Sequence, residues 1–208
     1  MKSKLSLLLS FLVFGILFSQ KSFHFDYRLK YKIEENKKSK EIVFFVNSKD
    51  PSYVLRIIEI NNGLQSNLIS LKDKKFHTFS VKHDKLNNDS YYFVYESSAE
   101  FIRRSNIQTP FFKIAKMDND VISLDFFKDK NLEKRKAKYL LKLIPNEDLG
   151  FDIYRLMLLH PFEEIDLLAF PGNFIVSETE IILNNGKKAY KKLIDYKKIN
   201  ISIHIPEN

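Results

Sequence analysis

Between Phe23 and Ile33 the chain alternates. Phe23, Phe25, Tyr27, Leu29, Tyr31 and Ile33 fall on one side, and His24, Asp26, Arg28, Lys30 and Lys32 on the other. Successive strand side chains point to opposite faces, so this period of two predicts a half-buried β-strand. The same residues wound as a helix would spread their apolar groups all round. Glu34 to Lys40 reads as a polar turn. Glu41 to Asn47 is nearly all apolar and is expected to be buried on both faces or to face a cavity. Ser48-Lys49-Asp50-Pro51 has turn chemistry. Ser52–Ile60, Leu64–Leu71 and Lys75–Lys82 continue as strands. Asn61-Asn62-Gly63 favours a type I′ hairpin between the first two, and Lys72 to Lys74 turns the second into the third. This meander predicts one large antiparallel sheet.

Beyond the polar loop His83–Asp89, Ser90 to Tyr95 is an aromatic strand, and Ser97 to Pro110 is less regular. Phe111–Met117 and Val121–Phe127 read as extended. Asn131 to Ile144 fits two patterns. Leu132, Lys136, Tyr139 and Leu143 suit a helix ended by Pro145, whereas Ala137, Tyr139, Leu141 and Leu143 suit a strand pairing with Val121–Phe127, the reading preferred here. From Leu149 to Ala169 the alternation breaks. Ile153, Leu156, Met157 and His160 share a helical face, and Pro161 suits a helix start. Phe170-Pro171-Gly172 is a turn of type II order. Asn173–Leu183 and Lys187–Tyr196 flank a second Asn-Gly turn. Ile199, Ile201, Ile203 and Ile205 alternate in a closing strand that mirrors the first and belongs in its sheet. The fold expected is mainly β: a strongly curved antiparallel sheet or open barrel with a short helical element.

The first residues change the picture of where this sheet resides. Met-Lys-Ser-Lys, an apolar run from Leu5 to Phe18, and Ser19-Gln20 have the order of a secretory signal peptide. The run is shorter than the ~20 residues of a spanning helix, and no later stretch is long enough to span. Cleavage after Ser19 would leave a single domain of residues 20–208, exported to the periplasm or beyond. The chain has no cysteine, so it carries neither a disulfide nor a lipid-modified cysteine. The formal charge of +8 falls to +6 once Lys2 and Lys4 leave. No nucleic-acid partner is expected, because the lysine clusters (Lys37, Lys38, Lys40; Lys72, Lys74, Lys75; Lys187, Lys188) fall at turns, where they are solvated and discourage edge pairing. Abundant Lys, Asn, Ile, Phe and Tyr instead match an AT-rich genome.

Candidate chemistry is thin. Gly63, Gly150, Gly172 and Gly186 are the only glycines after residue 19, which excludes a G-x-G-x-x-G or P-loop phosphate cradle. A G-x-S-x-G elbow, H-E-x-x-H and an EF-hand loop are absent as well. His160 with Glu163, Glu164 and Asp166 places an imidazole near carboxylates, but helix-end capping accounts for the same residues. His77, His83 and Asp84 match no metal spacing, and Arg103-Arg104 suits an exposed loop. No cofactor, metal or catalytic residue is expected. The aromatic segments are more informative. Phe44, Phe45, Tyr91, Tyr92, Phe93, Tyr95, Phe111 and Phe112 either pack as core or line a cavity across whose mouth the helical element lies. On the second reading Phe44, Tyr91, Phe93, Tyr95 and Phe112 are the candidate ligand-binding residues.

The export signal ending Phe-Ser-Gln, followed at once by an aromatic alternating strand, resembles secreted β-rich proteins of unassigned function from AT-rich Gram-negative bacteria. Ala169-Phe170-Pro171-Gly172-Asn173-Phe174-Ile175 is similar to the motif that names the GLPGLI family. Pro171 and Gly172 match it, whereas Ala169 replaces Gly and Asn173 replaces Leu. The outline also resembles the half-barrel of periplasmic lipoprotein carriers, in which a sheet and a helical lid enclose an acyl chain. The function expected is non-catalytic binding of an apolar or amphipathic ligand, a lipid or an acylated partner. The alternative is a structural or envelope-assembly protein with a solid core and no ligand.

Overall fold

The computed structural model describes residues 20–60, 63–84, 90–100, 111–159 and 169–206. Eleven strands form one antiparallel sheet: β1 Gln20–Glu35, β2 Lys38–Val46, β3 Tyr53–Ile60, β4 Gly63–Ser70, β5 Lys75–Asp84, β6 Ser90–Glu100, β7 Phe111–Lys116, β8 Val121–Phe127, β9 Arg135–Gly150, β10 Asn173–Leu183 and β11 Lys188–Pro206. Their spatial order is β6-β5-β4-β3-β2-β1-β11-β10-β9-β8-β7. The opening and closing strands therefore meet at the centre, and a meander runs outward on either side. The sheet does not close on itself, since β6 and β7 are its two ends.

Local chemistry explains the turns. Asn36 and Lys37 both have positive φ, 50° and 63°, the geometry of a type I′ hairpin turn between β1 and β2. At the second Asn-Gly turn, Gly186 has φ 78° and donates its N–H to the Leu183 carbonyl, while the Leu183 N–H bonds the Lys187 carbonyl. Residues 61 and 62 lie outside the described set. The ambiguous segment is a strand: β9 pairs with β8 on one side and β10 on the other. It runs on through Pro145, so the proline ends no helix here. β6 also runs further than expected, to Glu100, because Lys75–Thr78 on β5 pair with Ser97–Glu100 beyond a bulge.

The expected pair of C-terminal strands is one strand of 19 residues, β11. It follows β1 along its whole length because two register slips absorb the polar stretch between the apolar runs. Tyr31 pairs with Leu193 and Lys30 with Asp195; Tyr27 pairs with Lys198 and Phe25 with Ile201. At each slip β11 carries one residue more than β1, which sharpens the local twist.

The helix, α1, spans Phe151–Leu158 and buries Phe151, Ile153, Tyr154, Leu156, Met157 and Leu158. Asn146 sets up its approach by accepting the N–H groups of Asp148 and Leu149 on its side-chain oxygen. The continuation expected after Pro161 lies outside the described residues. α1 touches β9, β10 and β3. β3 and β10 are four strand spacings apart, ~19 Å on a flat sheet, whereas a helix is only ~10 Å across. The sheet must therefore curl around α1.

Two apolar clusters result. One packs α1 against Tyr27, Leu29, Tyr31, Phe44, Val46, Val54, Ile69 and strands β8–β10. The other joins Phe23, Phe25, Val43, Phe45, Tyr53, Leu55, Ile57, Leu68, Phe79, Ile203 and Ile205. Phe44 and Phe45 are neighbours on β2 and belong to different clusters, so the clusters lie on opposite faces of that strand. This is why Glu41–Asn47 reads as apolar throughout.

Candidate ligand-binding face

Alternation on β2 to β6 builds the floor of the second cluster. Val43 and Phe45 on β2 face Ile57 and Leu55 on β3, and Leu55 faces Leu68 on β4. Further out, Phe79, Val81 and His83 on β5 stand opposite Tyr95, Phe93 and Tyr91 on β6. The rings meet edge to face: Phe45 lies 5.7 Å from Tyr91 and 5.8 Å from Phe93, and Phe79 lies 6.3 Å from Phe93 and 5.8 Å from Tyr95. Such geometry aligns ring edges with ring faces of opposite partial charge.

β2 ends at Val46, paired with Tyr27. Upstream of that point, β1 and the end of β11 form a two-stranded ribbon that folds over this face. Phe25 packs on Phe45 and Tyr53, and Phe23 on Tyr53 and His77. Polar ties hold it there. Tyr53 Oη and Asn47 Nδ2 donate to the His24 carbonyl, the Ser48 N–H and hydroxyl donate to Asp26, and Lys21 pairs with Asp73. Where the ribbon stops, the face opens into a cleft of about 430 Å³. Val43, Ile57, Leu64, Val81 and Tyr91 form its apolar part, and Lys30, Glu41, Glu59 and His83 its polar part. Lys30 pairs with Glu41 at 2.6 Å, and His83 stacks on Tyr91 at 4.3 Å with the rings 4° from parallel.

Of the five candidate residues Tyr91 alone lines this cleft, and Phe93 and Tyr95 follow it on the same face of β6. Tyr91, Phe93 and Tyr95 are half-buried on β6 against the second cluster. Phe44 and Phe112 belong to the first cluster, on the α1 side, and Phe44 is buried there. Val81 and Leu64, which also line the cleft, are aliphatic and lie outside the aromatic runs that supply the candidates. The alternation of Phe79 and Val81 was the available signal.

A second cleft, of about 480 Å³, lies between β1, β8–β10 and β11. Its walls carry Lys32, Lys142, Lys191 and Lys192 with Glu34, Glu178 and Glu180. Most of these charges are spoken for: Lys32 by Glu34, Lys192 by Glu178, and Glu180 by Lys188. Lys191 instead donates to the Leu158 carbonyl at the end of α1, 2.9 Å away, and burial pushes its pKa down to about 8.

The two histidine candidates on β5 do not come together. His77 is buried and His83 half-buried at positions six residues apart on β5, roughly 20 Å. His160, Glu163, Glu164, Asp166 and Arg103-Arg104 lie outside the described residues. Among the described residues no group of three or more His, Cys, Asp or Glu is placed to hold a metal ion, and no helix is long and apolar enough to cross a membrane.

No family model matches the chain, so the GLPGLI-like segment finds no family support, and no curated protein matches it either. Solved structures do align. A LolA superfamily protein from Nitrosomonas europaea aligns over 90% of both chains at 9% identity and TM-score 0.33. A porin-like protein from Bacteroides uniformis aligns over 86% of this chain and 94% of its own at 10% identity and TM-score 0.28. An outer membrane lipoprotein-sorting protein domain from Vibrio parahaemolyticus aligns over 84% of each at 9% identity and TM-score 0.24. At such identity and TM-score these likenesses assign neither a family nor an activity to this chain.

Proposed function

We propose that residues 20 to 208 are an exported, single-domain binding protein. It holds an apolar or amphipathic ligand, without catalysis, on the face that carries Tyr91, Phe93 and Tyr95. The observation that carries this reading is the 430 Å³ cleft, where the apolar surface of the second cluster continues outside the cover of the β1–β11 ribbon. Each methylene seated there gains ~0.8 kcal/mol from leaving water. The charges at Lys30, Glu41 and Glu59 leave a polar end of the ligand hydrated or paired. Both clefts are open to solvent, so the ligand is held against a face and keeps one side exposed.

The sheet end at β6 favours a second reading, an envelope-assembly protein. Tyr92 and Val94 are 52% and 57% exposed on this outermost strand, and an open edge can pair with an extended segment of a partner. Native mass spectrometry of protein purified without detergent separates the two. Stoichiometric uptake of a neutral amphiphile such as dodecanol, abolished by Val81→Asp in a variant that still unfolds cooperatively, is the expected result. An apo mass unchanged by dodecanol and by phospholipid would refute ligand binding and leave the edge-pairing reading.

A further inference from the structure

Arg56 stands on β3 facing the other way, toward the α1 side of the sheet. Its cross-strand neighbours are Phe44 and Asn67, and Asn67 in turn stands opposite Thr78 on β5. Val54 and Ile58 flank it along its own strand. No acid is among these neighbours. Arg56 is half-buried, its Nε is shielded from solvent with no hydrogen-bond partner among the described residues, and burial lowers its pKa. Arg28 makes the contrast: it is buried more fully, and its Nη2 pairs with Asp195 at 2.6 Å. A desolvated guanidinium with no counter-charge weakens a fold unless something else compensates it. Guanidinium is also the group best shaped to take a carboxylate or phosphate through two parallel hydrogen bonds.

We propose that Arg56 is the anion-recognition residue of a second site, on the face opposite the 430 Å³ cleft. The site takes the oxyanion head of an amphipathic acid. Asn67 and Thr78, half-buried beside it, add polar groups to the same row. The half-buried Ile58 and Phe76 on either side of that row supply apolar contact for the chain. The site is independent of the cleft on the other face and does not require that cleft to bind anything.

The test uses dodecanoate, dodecanol and inorganic phosphate on the parent protein, Arg56→Met and Val81→Asp, read by native mass spectrometry and thermal unfolding. Dodecanoate should bind about tenfold or more tighter than dodecanol, the range of a charge-assisted hydrogen bond. Arg56→Met should erase that preference. Without ligand it should be as stable as the parent or more so, because it removes an uncompensated charge. Val81→Asp, which disables the cleft on the other face, should still bind dodecanoate with the affinity of the parent. The proposal is overturned if Arg56→Met keeps the preference, or if it melts several degrees below the parent and so marks a structural arginine. Loss of dodecanoate binding in Val81→Asp would place the anion on the other face. Protection by inorganic phosphate equal to that by dodecanoate would make the site one for a bare oxyanion, also against the proposal.

Discussion

Replacing Phe45 and Phe93 by alanine, singly and together, tests the claim that the aromatic residues serve two faces. Phe45 is fully buried, and its ring meets Phe93 at 5.8 Å and 87°. Truncating a buried phenylalanine removes its transfer energy and leaves a cavity, about 3–5 kcal/mol in all. Phe93 is half-buried, so its truncation should cost roughly half as much. The two rings touch, so the double variant should lose less than the sum of the singles, by about 0.5–1.5 kcal/mol, the worth of an edge-to-face pair. Phe44→Ala combined with Phe93→Ala is the control. Phe44 sits one residue away, but in the other cluster, against Tyr31 at 6.2 Å, and its effects should add to within about 0.5 kcal/mol. Urea unfolding followed by tyrosine fluorescence gives all the values, with Phe45→Leu as the milder substitute if the double variant does not fold. Coupling between Phe44 and Phe93, or none between Phe45 and Phe93, would refute the two-face arrangement.

Tyr31→Phe removes the hydroxyl that donates to the Val176 carbonyl at 2.7 Å inside the first cluster. It should lower stability by about 1–3 kcal/mol in denaturant unfolding, because the carbonyl is left without that donor. Burial holds the His77 imidazole below its ordinary value of 6.5, against the pull of Asp73 and with the help of Lys75 and Lys21. The unfolded chain therefore takes up the proton first, and stability should fall as pH drops through about 6.5 toward the folded pKa. His77→Phe, measured by unfolding at a series of pH values, should flatten that part of the profile. Gly172→Ala should cost roughly 1 kcal/mol in thermal unfolding. Its φ of 102° strains any side chain, although the new methyl group would meet only Phe174 at 4.0 Å.

The strands were legible because each is periodic over its own length. The pairing of Val121–Phe127 with the ambiguous segment followed from the charged residues between them, which suit a hairpin loop, and the matching alternation of the first and last strands placed both in one sheet; that they pair directly is shown by the structure. Three features were not legible, and each depends on residues far apart in the chain. The closing segment is one strand because β1 supplies partners on both sides of its polar middle, with a slip at each end of Asp195–Lys198. The eight aromatic positions look alike in sequence, yet Phe44 and Phe112 pack toward α1, while Phe45 and Tyr91 pack away from it. Arg56 reads as an ordinary polar position in a strand. That no acid stands beside it among the described residues becomes apparent only when β2 and β4 place Phe44 and Asn67 there.

The exchange of faces along β1 explains why the candidate cleft lies where it does. Phe25 and Tyr27 are two residues apart, and alternation alone puts them in one core. They lie in separate clusters because β1 loses its β2 neighbour beyond Tyr27, just where β11 inserts its extra residue. A strand held on both sides follows the sheet, whereas a two-stranded ribbon with an added bulge can bend away from it. Bending carries Phe23, Phe25, Ile203 and Ile205 over Phe45 and Tyr53 and buries them. Among the described residues the ribbon runs from Gln20 to Phe25, about 20 Å of strand. Val81 and Tyr91 are left half-buried on the same face. Shortening the ribbon should extend the open face toward Tyr53, and pinning it further along β5 should close the cleft.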